Sequence, residues 1–446
     1  MITQPVALRR RVLAAADFLD EVDPLDRYRW LADLALAELR IGELVGAREH
    51  VGAAVAIARA ADRWDLVAQA AVSLIGAGVW SWREAGSVDE VMIESLLACV
   101  EQLPDGGLKA RVLASLQMEY YHARRFDQAE IYGRRSVELA RRVGEPGLLL
   151  RVLLVRSLTN WAPGTHTQRI ALAEEMLSLP AAGEMEVSVL WQYGTAMNHA
   201  GRDAEAEAAM VRAQQAAARL RHTGADIPIA WWKFMRAVER EDPQRAEIGR
   251  DALELHRRTT FVASGELAGL YALRSGEIGD PVPSEVIEFG RESPNPGYRA
   301  LVAYALVEAG DATLAIGILG PDGAEDARDF AALASDCLRT GVYAAAGRLG
   351  DTRRMLGRIT RWSGDAVTWG SVDHLGAVDY FIALGQLALG EIDVARQHLR
   401  LAIELCDRVG NQVWARRARS RLSRLDADKS AVSRPASRPT GEASPR

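Results

Sequence analysis

The stretch WLADLALAELRIGELVGAREHVGAAVAIARAA, Trp30 to Ala61, decides how the rest of the chain is read. Leu31, Leu34, Ala35, Leu36 and Leu39 recur at the spacing that places apolar side chains on one face of a helix. Gly42 stops that helix, because glycine enters the left-handed conformations that end helices. Ala47, Val51, Ala54, Val55 and Ala58 then mark a second helix. Neither apolar stripe can be buried by its own helix, so the two must pack on each other and on neighbours.

The same punctuation returns along the chain. It is seen at RIGELVGA (Gly42), HARRFDQA (Phe126), HAGRDAEA (Gly201), EREDPQRA (Asp242), EAGDATLA (Gly310), RLGDTRRM (Gly350) and ALGEIDVA (Gly390), with weaker breaks near Pro163 and Gly276. Small residues follow early in the second helix, at Ala47, Ala129, Ala206, Ala246 and Ala395, where close helix approach admits no bulk. The pattern is a degenerate tetratricopeptide signature with a period of roughly 40, which makes about ten helix pairs. The predicted fold is all-α, a right-handed superhelical solenoid of tetratricopeptide-like pairs. Heat-type repeats of similar period are the structural alternative. Strand signals are nearly absent, with little Val/Ile/Thr alternation and no Asn-Gly hairpin.

The array is expected to span residues 1–424. Beyond it, KSAVSRPASRPTGEASPR is rich in Ser, Pro and Arg and nearly free of apolar residues. Such a segment cannot offset its ordering entropy, so 425–446 is expected to be a disordered tail.

Composition excludes several function classes. The 446 residues are 49% hydrophobic and 26% charged with net charge -6, the balance of a folded protein. An acidic chain lacks the bulk charge that duplex binding needs, so direct nucleic-acid binding is disfavoured. Only three lysines occur among 54 basic residues, which fits a GC-rich genome. Cys99, Cys337 and Cys406 are far apart, odd in number and set in apolar helical contexts, so they read as core residues. No segment approaches a membrane span and no cleavable leader is evident, so a cytoplasmic location is expected.

No chemistry-bearing motif emerges. The phosphate loop is absent, as are GxGxxG after a strand, HExxH and GxSxG. The eight histidines show no metal-ligand spacing, and His122 and His199 both precede a helix break, which favours a role in the repeat. No cofactor, metal or catalytic residue is therefore assigned.

The candidate binding residues are aromatic. They are Trp80, Trp82, Arg83 and Glu84 in GVWSWREAGSVDE; Tyr120, Tyr121 and His122 in MEYYHARR; Trp161 in SLTNWAPGTH; Trp191 and Asn198 in LWQYGTAMNH; and Trp231 in IAWWKFMRA. In a superhelix the first helix of each pair lines the concave side, so these residues can form one groove for a peptide or small organic ligand. The competing reading is that they wedge helix pairs apart and fill the core.

The segment Gly76 to Arg125, with GVWSWREAGSVDE, LLACVEQLP and ASLQMEYY, resembles the C-terminal repeat region of actinobacterial LuxR-type multidomain ATPase regulators and antibiotic regulatory proteins. Gly370 to Leu422 is similar to the closing repeats of that family. Those regulators also carry a nucleotide-binding domain and a DNA reader, and neither is evident here. The resemblance therefore implies the sensor or scaffold module alone. The expected function is a non-catalytic interaction scaffold or regulatory module that holds a protein or peptide partner in its concave groove. A small-molecule sensor is the alternative, and an enzyme adapted from the repeat fold a lesser one. Oligomeric state is not legible.

Overall fold

A computed structural model describes residues 22–76, 87–220, 223–259, 280–293, 295–322, 328–370 and 373–432. Its helices, numbered in chain order, are α1 (Pro24–Ile41), α2 (Leu44–Ala60), α3 (Trp64–Ala71), α4 (Ser73–Gly76), α5 (Glu90–Gln102), α6 (Gly107–His122), α7 (Phe126–Val143), α8 (Pro146–Leu158), α9 (His166–Ser178), α10 (Glu184–His199) and α11 (Asp203–Leu220). They continue as α12 (Thr223–Glu239), α13 (Arg245–Arg257), α14 (Ser284–Glu292), α15 (Pro296–Glu308), α16 (Ala312–Leu319), α17 (Ala332–Ala345), α18 (Leu349–Ile359), α19 (Val378–Ala388), α20 (Ile392–Arg408) and α21 (Gln412–Val432). Consecutive helices pack as pairs, most extensively α1 on α2, α6 on α7 and α10 on α11. The protein is an all-α array of helix pairs.

The turns inside the pairs explain the punctuation. Each carries one residue in the left-handed region: Gly42, Arg124, Gly201, Glu241, Gly310, Gly347 and Gly390. At Gly42 the backbone N–H returns to the carbonyls of the last helical turn and closes the cap. The break expected at Gly350 lies three residues earlier. Gly347 takes the positive φ of 68°, and Gly350 sits inside α18, where an added Cβ would meet open space. Ala47, Ala129, Ala206 and Ala395 are buried where the paired helices approach, and Ala246 is half-buried.

Two features depart from the regular plan. A two-stranded antiparallel hairpin, β1 (Ala366–Trp369) and β2 (Asp373–Ala377), interrupts the helices between α18 and α19. Among the described residues it is the one strand pair in a chain otherwise helical, as expected; Val367, Thr368 and Trp369 are β-formers, but four residues carry no readable period. The closing helix also runs to Val432, past the boundary at 424. Leu422 and Leu425 pack on the core, and Arg396 donates to the Leu425 carbonyl at 2.7 Å. The predicted tail residues from 433 onward lie outside the described residues.

The array folds back on itself. Residues 22–259 form a first half and residues 280–432 a second, and one apolar cluster runs through both from Tyr28 to Ala418. Ion pairs tie the halves together: Arg124 to Asp329 at 3.0 Å, Arg328 to Asp127 at 3.1 Å, and Arg416 Nε to Glu241 at 2.7 Å. Helix α12 sits between α1, β2 and α21, and almost every side chain from Ala225 to Glu239 is buried. A helix buried on all sides belongs in the middle of a structure rather than along a groove.

Candidate functional site: a buried polar seam

The seam between the halves has an unusual chemical character. Helix α10 is buried on every side from Val187 to His199, and its polar residues Gln192, Thr195 and His199 repeat at helical spacing along one face. His199 lies 5.8 Å, ring centre to ring centre, from His374 of β2. The Trp161 ring meets His199 edge-on at 6.0 Å, and the Arg169 guanidinium lies 4.5 Å over the Trp161 ring. Gly164, with φ of 77°, lets the loop before α9 press on Trp362 of the second half; a Cβ there would come within 2.5 Å of the indole. Four segments distant in sequence therefore meet: the 159–165 loop with α9, the end of α10, residues 362–365, and the hairpin.

Polar groups in this seam are incompletely matched. Both ring nitrogens of His199, the Thr195 hydroxyl, the Asn160 and Gln192 amide nitrogens and Arg169 Nε are buried without a hydrogen-bond partner. Each such group costs about 1–3 kcal/mol relative to a satisfied one. Burial pushes the His199 imidazole well below its ordinary value, and the neighbouring His374 and Arg169 push the same way. Burial also lowers Arg169 to about 10, while the Asp365 carboxylate opposes the shift. Asp365 is itself raised by burial.

Beside this cluster the polar groups hold more partners. Buried Arg236 donates to Asn198 Oδ1 at 2.5 Å, to Asp203 at 2.7 Å and to Glu239. The Asn411 amide lies 2.7 Å from His374 Nδ1. On α19, Asp379 accepts from Ser363 and from Gly364 N–H, both at 2.7 Å, and pairs with His398 at 2.6 Å. Burial alone would raise that carboxyl, but these three bonds outweigh it and hold it below the ordinary range. Ser363 gives its proton to the carboxylate and not to the imidazole. The trio therefore fixes a turn and does not activate a nucleophile.

The aromatic candidates are now placed. Tyr120, Tyr121, His122, Trp161, Trp191, Asn198 and Trp231 are all buried, with Trp231 0% exposed. Tyr120 stacks on Tyr132 at 5.4 Å, and Tyr121 meets Phe126 edge-on. Trp191 packs with Met210, Trp232 and Met235. Trp231 Nε1 reaches His256 Nδ1 at 3.4 Å. These residues do not line an open concave groove; the fold-back packs the first helices from both sides and makes wedges and core of them. Trp161 and Asn198 reach the polar seam, and Tyr121 borders Asp329 and Phe330 of the second half. Trp80, Trp82, Arg83 and Glu84 lie outside the described residues. The seam residues missed in the sequence were Arg169, His374 and Arg236. His199 was visible only as a histidine before a break, because its neighbour His374 comes from the other half.

The remaining chemistry is sparse. Among the described residues no group of three His, Cys, Asp or Glu side chains is placed to hold a metal. Burial raises the thiols of Cys99 to about 11 and Cys406 to about 12, so neither is nucleophilic near neutrality. A small cleft of about 10 Å³, room for one water, lies between Arg124, Asp329, Asp336 and Arg358. No helix of the described residues is long and apolar enough to cross a membrane.

Comparison with known proteins adds little. No protein-family model matches the chain. No curated protein matches it. A solved structure described as a "Circular tandem repeat protein with novel repeat topology and enhanced subunit contact surfaces" aligns over 95% of this chain and 88% of its own. Its identity is 16% and its TM-score 0.13, too low for any argument, so the fold rests on the helix pairs themselves.

Proposed function

We propose that this chain is a non-catalytic regulatory module: a helical-repeat body that takes a small effector where its two halves meet. The observation that supports this is the seam, where the buried Thr195 hydroxyl, Arg169 Nε and both nitrogens of His199 lack hydrogen-bond partners. Natural structures rarely leave such groups unmatched without a functional reason. The resemblance of Gly76–Arg125 and Gly370–Leu422 to the sensor region of transcriptional regulators points the same way. An effector bound here touches both halves and alters how firmly they close. The test is a thermal-shift screen of metabolites against the full chain, in which a true effector raises Tm saturably as RT ln(1 + [L]/Kd) predicts. A screen of broad chemical coverage without one saturable hit would refute the effector role.

The partner-scaffold reading survives in altered form, on a different observation. Leu349 and Ile392, the first residues of α18 and α20, are exposed, as is Leu401 further along α20. Exposed apolar side chains at the start of successive second helices, as at Leu349 and Ile392, suit a protein partner there, in place of a peptide in the concave groove. Affinity capture with the native chain and with Leu349→Asp/Ile392→Asp decides it; equal recovery of every partner by both chains would sink this reading.

A further inference from the structure

The least ordinary group in the seam is Arg169. Its side chain is among the buried set at 8% exposure, yet among the described residues no carboxylate lies within ion-pair distance of it. Its single hydrogen bond is Nη1 to the Thr165 hydroxyl at 3.0 Å, and Nε has no partner. Buried cations are normally paired, because an unpaired charge in a low-dielectric interior is costly. The other arginines buried here obey that rule: Arg236, Arg339 and Arg396 each hold a carboxylate. The nearest compensation for Arg169 is Asp365, which acts on it only through space.

The surroundings of Arg169 favour negative charge. It lies in the first turn of α9, where backbone N–H groups lack intrahelical acceptors and the helix dipole is positive. That turn contains no acidic residue and no side-chain cap. It does contain His166, whose imidazole is lowered by burial and by the positive charges of Arg169 and Arg408. Thr165 and His166 are half-exposed and Gly164 is exposed, so the loop that leads into α9 borders solvent. The Trp161 ring forms its wall.

We propose that Arg169, with His166 and the first turn of α9, binds the oxyanion of a small ligand, a carboxylate or a phosphate, with Trp161 as the flat wall beside it. This rests on the effector reading and gives it a chemistry: the effector is an anion. The ligand oxygens take the unused Nε–H of Arg169 and supply the counter-charge its burial lacks. Asp365 keeps the ligand-free site from being intolerable and competes weakly for the same cation.

The experiment is a titration of the full chain with inorganic phosphate and, separately, with benzoate, against sodium chloride at matched ionic strength. It is read by Tm and by isothermal calorimetry. The expected result is a saturable signal with at least one of the two oxyanions and none with chloride. Phosphate alone identifies a phosphate-bearing effector, and benzoate alone an aromatic carboxylate; either supports the site. Arg169→Gln should weaken binding by about tenfold or more, the worth of a charge-assisted hydrogen bond. Because that residue is buried, His166→Gln at the half-exposed rim provides a second variant and should weaken binding by a smaller factor. Arg202→Gln, on an exposed ion pair elsewhere, should bind as the native chain does. Absence of a saturable signal with both oxyanions overturns the proposal, as does undiminished binding by both Arg169→Gln and His166→Gln. If both oxyanions fail while a neutral metabolite stabilises the chain, the anion site falls and the effector reading stands.

Discussion

Arg124 and Glu241 occupy left-handed turns where the equivalent position elsewhere is glycine, with φ of 59° and 56°. Both send a charged side chain across the seam, Arg124 to Asp329 and Glu241 to Arg416. Glycine at either site removes about 1–2 kcal/mol of backbone strain and adds about 0.5–1 kcal/mol of unfolded-state entropy. The side chains then decide the outcome. The Glu241–Arg416 pair has side chains 34% and 57% exposed, so it is worth about 0.2–1 kcal/mol after screening. Glu241→Gly should therefore fall near neutral. Asp329 is different: its side chain is 9% exposed, and Arg124 is its cationic partner. Leaving that carboxylate without a counter-charge costs about 2–3 kcal/mol, the low end for a buried pair because Arg124 itself is partly exposed. Arg124→Gly should then be about 2 kcal/mol less stable than Glu241→Gly. For cooperative unfolding of a chain this long, that is about 2 °C in Tm. Differential scanning calorimetry on native, Arg124→Gly, Glu241→Gly and Arg124→Asn checks it. Asparagine tolerates the left-handed turn but not the ion pair, so it should lose as much as the glycine variant. Equal melting of Arg124→Gly and Glu241→Gly would refute the claim that the seam, and not turn strain, selects the residue.

His199 is buried neutral and its folded pKa lies well below the ordinary 6.5. The unfolded chain takes up a proton there first, so stability should fall as pH drops below about 6.5; melting curves from pH 8 to 5 should show a shallower decline for His199→Phe. Asp336 slopes the other way: burial raises its carboxyl to about 6, against the opposing pull of Arg358. The folded state holds that proton longer than the unfolded one, so this contribution is present below about 4 and is lost as pH rises to about 6. Asp336→Asn should lack that loss over the same window. Gly376→Ala should destabilise by several kcal/mol, since φ is 83° and the added Cβ would stand 2.7 Å from the Trp414 ring; urea titration tests it, and a neutral result would mean the hairpin is not seated as described. Trp231→Ala should cost about 3–5 kcal/mol, the price of a buried aromatic. Native stability with altered ligand binding would instead restore its placement in a groove.

What was legible in the sequence was whatever repeats locally. The stripe from Leu31 to Leu39, the left-handed Gly42 and the small Ala47 are all consequences of helix geometry within forty residues, and the structure reproduces them pair after pair. Gly350 shows the resolution of such reading: two glycines three residues apart compete for one turn, and only the backbone reveals that Gly347 takes the positive φ. The seam was illegible for a different reason. Trp161, His199 and His374 meet only because the array bends back and a short hairpin fills the space between its halves. No local period encodes that meeting. Arg169 looked like one more arginine on a helix face, in a chain where 54 residues are basic. Its burial without a carboxylate is a property of the closed array alone. The aromatics were misplaced by the same omission: the first helix of an open superhelix lines a groove, whereas in a superhelix that closes on itself it becomes the core. Closure therefore does two things at once, converting the expected binding surface into packing and creating, where Arg169 is buried without a carboxylate, the site where a ligand has most to offer.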